Sequence, residues 1–195
     1  MDLTVFQLFL SITNKKIFVV LTGLSGVTDM VFAIEASENT NEATLERMKR
    51  FITGSLNIYE VAPQKTHLAL VGYGGRTKVS LRLDKGNDEN AVKTALDSMK
   101  LIGGAPDLDV TLDYINSNVF PESAGGRKDA GKFLVILTTK KDRKITITDL
   151  PSYKILRSGG VMIYVIEDDG DLTDNIPDLE LNFGSTLGES KQLAA

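Results

Sequence analysis

Few side chains in this sequence are equipped for covalent or metal chemistry. There is one histidine, His67, and no cysteine. Disulfides, thiolate metal sites and cysteine nucleophiles are therefore excluded together, and a multi-histidine metal site cannot be built. Any hydrolytic triad would have to use His67, which opens an apolar run with no Ser/Asp constellation beside it, so a structural role is expected. The stretch Gly126-Arg-Lys-Asp-Ala-Gly131-Lys132 spells most of a phosphate-binding loop, but Phe133 occupies the Ser/Thr position. That motif must follow a strand and open a helix, whereas this one leads into a strand, so a surface loop is expected. Asp168-Asp169-Gly170-Asp171 lacks the spaced ligands and distal glutamate of a calcium loop and is expected to be a solvated turn. The basic run Lys140-Lys141-Asp142-Arg143-Lys144 would attract an acidic polymer such as a glycosaminoglycan, or simply face water. With no nucleophile–base pair, dinucleotide fingerprint or metal cluster, an enzyme is disfavoured.

The elements that would position any site follow from periodicity. Met30 to Ile34, His67 to Tyr73, Phe133 to Leu137 and Val161 to Ile166 are continuous apolar runs, as strands covered on both faces should be. Between them lie helical stripes: Leu45, Met48, Ile52 and Leu56; Val92, Ala95, Leu96 and Met99; Leu108, Leu112, Ile115 and Val119. A fourth helix is predicted around Leu150 to Arg157, with Pro151 in its first turn and Gly159-Gly160 beyond its end. Val79, Leu81 and Leu83 alternate with Lys78, Ser80 and Arg82, which predicts a half-exposed antiparallel edge strand paired to its predecessor across Gly74-Gly75. Buried strands separated by helices imply an α/β fold: a doubly wound, mostly parallel sheet with one antiparallel edge strand and helices on both faces. Phe32, Leu70, Ile136 and Ile163 are predicted to lie nearly fully buried on adjacent central strands. In such a sheet the ligand site lies at the carboxyl ends of the strands.

The charge balance narrows the partners. Twenty-two basic against 26 acidic residues in 195 leave a net charge of −4, so nucleic acid is not an expected partner. A membrane helix across Leu3 to Leu24 would place Lys15 and Lys16 near the bilayer centre, at ~2.5–3.5 kcal/mol each, so no membrane span is expected in the mature protein. Read from those lysines, the apolar run Ile17 to Leu24 followed by the small residues Gly23 and Ser25 has the order of a secretory signal. The other reading is an extra strand or helix packed on the domain. The expected organisation is a signal peptide or N-terminal extension at 1–25, one domain at 28–185 and a tail at 186–195.

Five segments in order carry a family resemblance. Asp29-Met-Val-Phe-Ala-Ile-Glu35-Ala-Ser37-Glu-Asn39 is similar to the opening strand and first loop of a von Willebrand factor type A domain. Gln64 to Tyr73, Ile102-Gly103-Gly104 before the helix that carries Leu112-Asp113-Tyr114, Lys132 to Thr138 and Gly159 to Val165 continue the series. The resemblance runs from Thr28 to Ile166 and is nearest to the extracellular-matrix type of collagen VI-like and matrilin-like proteins.

That family often has a metal-ion-dependent adhesion site: Asp-x-Ser-x-Ser in the first loop, Thr in the second and Asp in the third surround Mg²⁺, leaving one position open for a partner's carboxylate. Carried onto this chain, the resemblance keeps Ser37 but puts Glu35 for the first Asp and Asn39 for the second Ser. Pro106 stands for the Thr, and Thr139 for the third-loop Asp. Asp107 is a neighbouring carboxylate, and Lys140 and Lys141 follow Thr139 and would bring an ammonium near Glu35. The resemblance therefore implies a degenerate site with no cofactor; any weakly held Mg²⁺ would use Glu35, Ser37, Asn39 and Asp107. The expected function is a secreted, non-catalytic adhesion domain that binds an extracellular protein, such as a matrix component, through a loop face of Glu35, Ser37, Asn39, Pro106, Asp107, Thr139 and Lys140. An intracellular scaffold of the same fold is the alternative.

Overall fold

The computed structural model describes residues 27–56, 60–139 and 147–168, and the backbone of two further strands, β1 (Phe9–Thr13) and β2 (Lys16–Val20). Those two pair antiparallel as a separate two-stranded sheet. The main sheet is built from β3 (Thr28–Glu35), β4 (Thr66–Tyr73), β5 (Thr77–Leu81), β6 (Gly131–Thr139) and β7 (Met162–Asp168) in the order β5-β4-β3-β6-β7. Strands β4, β3, β6 and β7 are parallel, and β5 is antiparallel to β4 at one edge. That is the predicted architecture, including the position of the alternating strand, except that the strand ends at Leu81 and Leu83 begins a 3-10 turn with its side chain fully buried.

Four helices cover the sheet: α1 (Glu42–Ser55), α2 (Glu89–Ser98), α3 (Leu108–Asn118) and α4 (Pro151–Ser158). The first three begin at short polar residues whose side chains accept an orphan amide: Asn41 from Thr44, Asp88 from Ala91 and Asp107 from Val110. Helix α4 opens with Pro151, and its Ser152 N–H is capped from outside by Asp109 Oδ1 of α3 at 2.9 Å.

Because side chains alternate across each strand, β3 divides its apolar residues between two cores. Met30, Phe32 and Ile34 pack with Leu45, Met48 and Ile52 of α1 and Val92 and Leu96 of α2. Val31 and Ala33 pack on the other face with Leu112 and Ile115 of α3 and Leu156 of α4. Phe32, Leu70 and Ile136 are buried on adjacent central strands, as expected, though Ile136 belongs to the second core. Ile163 departs from expectation and is only half-buried. It lies on β7, the outermost strand of the described sheet, where one flank has no strand neighbour among the described residues.

At the amino end of the sheet, the second residue of β3, Asp29, is fully buried. Arg127 holds it: its backbone N–H donates to Oδ2 at 2.6 Å and its Nε to Oδ1 at 2.7 Å, while Nη2 donates to the carbonyls of Thr28 and Lys65. The surface loop expected around Gly126 to Lys132 thus contains a clamp that ties three strand starts together. Beside it, His67 donates from Nε2 to the Pro63 carbonyl at 3.0 Å, and its Nδ1 is buried without a partner among the described residues. Burial lowers the His67 pKa, Arg127 adds to the effect, and the Pro63 bond, Asp29 and Asp84 oppose it.

Two stability predictions follow from this packing. Ile136→Ala should lower unfolding free energy by about 2–5 kcal/mol in urea titration, as large-to-small changes in dense cores do; a loss under about 1 kcal/mol would contradict its placement. For His67, the unfolded chain takes up the proton first because the folded pKa is depressed. Its contribution is therefore complete above about pH 6.5 and is lost as pH falls below that value, by at most about 1.4 kcal/mol per pH unit. Urea midpoints of the native chain should fall between about pH 7 and pH 5.5, and His67→Gln should flatten that dependence.

Candidate functional site

The last residue of β3, Glu35, is only 3% exposed. The parallel register that sets Ile34 against Leu137 brings Glu35 level with the end of β6, and its two-methylene side chain crosses to that strand. Oε2 accepts from Thr138 Oγ1 at 2.6 Å, from the Thr139 backbone N–H at 2.8 Å and from Thr139 Oγ1 at 3.2 Å. Oε1 accepts from Ser37 Oγ at 2.7 Å, and Ser37 Oγ in turn accepts from the Asn39 backbone N–H at 3.1 Å. Glu35, Ser37, Asn39 and Thr139 are thus brought together in one continuous network. Three donors meet Oε2 and one meets Oε1, so most of the carboxylate's four or so acceptor sites are used within the fold.

The loops around this network are stitched through their backbones. Ala36 donates to the Tyr73 carbonyl at 2.7 Å, and its own carbonyl accepts from Ile102 at 2.7 Å and Gly103 at 2.9 Å. Glu38 donates to the Gly104 carbonyl at 3.0 Å and Gly75 to the Gly103 carbonyl at 2.7 Å. This contact demands glycine: a Cβ on Gly74 would come within 2.6 Å of the Gly103 carbonyl oxygen and 3.0 Å of the Ser37 Cα. Gly103 and Gly104 both take positive φ, 73° and 69°. Backbone hydrogen bonds thus tie the loop after β3 to the end of β4 and to the Ile102-Gly103-Gly104 loop.

The remaining predicted residues are placed differently. Pro106 is half-buried and offers no hydroxyl or N–H. Asp107 is exposed, but its Oδ1 accepts from Val110 N–H at 3.1 Å as the cap of α3. Lys140, with the basic run to Lys144, lies outside the described residues. Every hydrogen bond the described residues give Glu35 comes from a neutral donor. As arranged, this donor set does not fit Mg²⁺, which wants several oxygens free to turn toward it in octahedral geometry. Among the described residues no group of three or more His, Asp or Glu is placed to hold a metal.

One interaction at this end escaped sequence reasoning. Asp168, expected in a solvated turn, has a fully buried carboxylate at the end of β7. Arg47 of α1 donates to its Oδ2 from Nε at 3.0 Å and Nη2 at 2.7 Å, and Nη2 also donates to Thr44 Oγ1 at 2.8 Å. The pair joins residues 121 apart in sequence, and neither lies in a pattern that marks the other.

A family model, the von Willebrand factor type A domain, matches residues 29–182. The mouse collagen alpha-5(VI) chain is 24% identical over 140 residues, covering 71% of this chain and 5% of that protein. Human matrilin-1 is 26% identical over 116 residues, 60% of this chain and 23% of its own length. This chain thus spans only a small part of the relatives it matches. Among solved structures, proximal thread matrix protein 1 from the mussel byssus superposes with a TM-score of 0.64 at 17% identity, over 73% of this chain and 38% of the other. That structure is described as having a zinc-occupied MIDAS motif, and at this identity the likeness concerns the fold alone.

Replacing Glu35 by Ala would leave the hydroxyls of Ser37, Thr138 and Thr139 without their shared acceptor. Loss of hydrogen bonds to a charged, buried group predicts a cost of about 1.5–3 kcal/mol in chemical denaturation. Glu35→Asp, one methylene shorter, should recover only part of it; full recovery would mean that reach across to β6 is not what matters.

Proposed function

This chain belongs to the von Willebrand factor type A domain family, and on that premise we propose that it is a non-catalytic adhesion domain of a secreted or extracellular-matrix protein, binding a protein partner through its loop face without a metal. Its relatives collagen VI and matrilin-1 support the adhesion role and the extracellular location. In this reading residues 1–25 are a signal peptide or N-terminal extension, 28–185 the domain and 186–195 a tail. The face is composed of Glu35, Ser37, Asn39, Pro106, Asp107, Thr139 and Lys140.

The observation that carries the metal-independent part is the inward commitment of Glu35. In a metal-bearing site two carboxylates repel one another until a divalent cation offsets them. Here a neutral residue, Thr139, occupies the position of the second and donates to the first from both its N–H and its hydroxyl. The charge that would recruit a cation is already solvated by the fold. Partner recognition then falls to the exposed polar groups of the rim, among them Glu38, Asn41 and Asp107, on loops already locked in place.

Calorimetric titration with Mg²⁺ and Mn²⁺ should give no saturable binding, and adhesion to a decellularised matrix should be unchanged by EDTA. A micromolar dissociation constant abolished by Ser37→Ala would overturn metal independence. N-terminal sequencing of the secreted product should begin near Ser25; retention of Met1 in a cytosolic product would overturn the extracellular assignment.

A further inference from the structure

The large apolar side chains left exposed among the described residues are Val110 at 61%, Tyr114 at 38% and Ile155 at 53%. Two of them, Val110 and Tyr114, stand four residues apart on α3, where such positions are neighbours on one helix face. The same face carries Asp107 three residues before Val110 and Asp113 three residues after it, both exposed. Asp109, by contrast, turns to α4 and caps Ser152. From Leu101 to Gly126 the chain has four acidic residues, Asp107, Asp109, Asp113 and Glu122, and no lysine, arginine or histidine. Neither Asp107 nor Asp113 has an ion pair among the described residues.

We propose that the outer face of α3 is a docking surface for a basic, partly apolar segment of a partner protein. The inference deepens the adhesion reading by naming the partner's chemistry. An exposed tyrosine ring flanked by carboxylates suits a guanidinium or ammonium: the cation lies over the ring, and its positive edge meets Asp107 or Asp113. Val110 offers an apolar shelf for the aliphatic stem of the same lysine or arginine. A single apolar residue on a surface needs no partner, but two adjacent ones bordered by charge of one sign complement a specific kind of segment. The face adjoins the loop rim through Asp107, which caps the α3 end nearest it. A partner laid along it would meet a surface that attracts cations, the reverse of a metal-bearing rim that attracts a carboxylate.

The probe is a fluorescein-labelled peptide of alternating arginine and leucine, followed by fluorescence anisotropy with the full chain, beside a peptide with glutamate for each arginine. The basic peptide should bind and the acidic one should not. Tyr114→Ala should weaken binding about two- to fivefold, the scale of one exposed cation–π contact, and Val110→Ser with Tyr114→Ala about tenfold. Asp113→Asn should weaken it and reduce its salt dependence, with circular dichroism unchanged. Ile155→Ser, an exposed apolar position on the neighbouring helix, should leave binding intact. Equal binding of the acidic peptide, unchanged affinity in the α3 variants, or equal loss in Ile155→Ser would overturn the proposal. So would concentration-dependent dimerisation abolished by Val110→Ser, which would assign the face to a second copy of the chain. Matrix adhesion that persists in the α3 variants counts against this surface alone, whereas adhesion absent from the native chain counts against the adhesion reading.

Discussion

Burying a carboxylate without an ion pair is expensive unless the fold supplies enough donors to replace its water, and at Glu35 the fold does so with neutral groups. The donors come from two directions at once. Ser37 lies in the loop that Glu35 itself begins, while Thr138 and Thr139 end the neighbouring strand, more than a hundred residues later. The arrangement works only if β3 and β6 are parallel and in this register, so the rest of the loop face depends on it. Ala36 and Ser37 leave the strand in the direction that this bond network sets, and the end of β4 and the Ile102-Gly103 loop attach to Ala36 by backbone hydrogen bonds. A cation in the same place would gather the loops by coordination; here they are gathered by a carboxylate and interlocking amides.

The central strand is thus terminated at both ends by a buried acid, and the two ends are balanced differently. Asp29 meets Arg127 in a charge-assisted clamp that reaches three strand starts. Glu35 meets hydroxyls and an amide. At the edge, Asp168 repeats the first solution with Arg47. Leaving Asp29 or Asp168 without its arginine would cost more than the ion pair itself contributes. The arginine pairs lock helix and loop to sheet. The neutral network needs no cation to hold Glu35, and α3 itself carries acidic but no basic residues.

Much of the architecture was legible in the sequence because its signals are local. Four apolar runs, the helical stripes beginning at Leu45, Val92 and Leu108, and Pro151 ahead of the Gly159-Gly160 stop each depend on neighbours within a few residues. The alternation from Val79 to Leu83 even placed the antiparallel strand at the sheet edge. Glu35, Ser37 and Asn39 could be singled out together because they lie within five residues of one another in the sequence. Tertiary structure decided the rest. Which donors Glu35 would find on β6, that Arg127 and Arg47 hold acids 98 and 121 residues away, and that Ile163 falls on the outermost described strand all depend on strand order and register. Local periodicity tells a residue which face it occupies. It holds no record of which distant side chain will arrive opposite, because that is settled only when the sheet assembles.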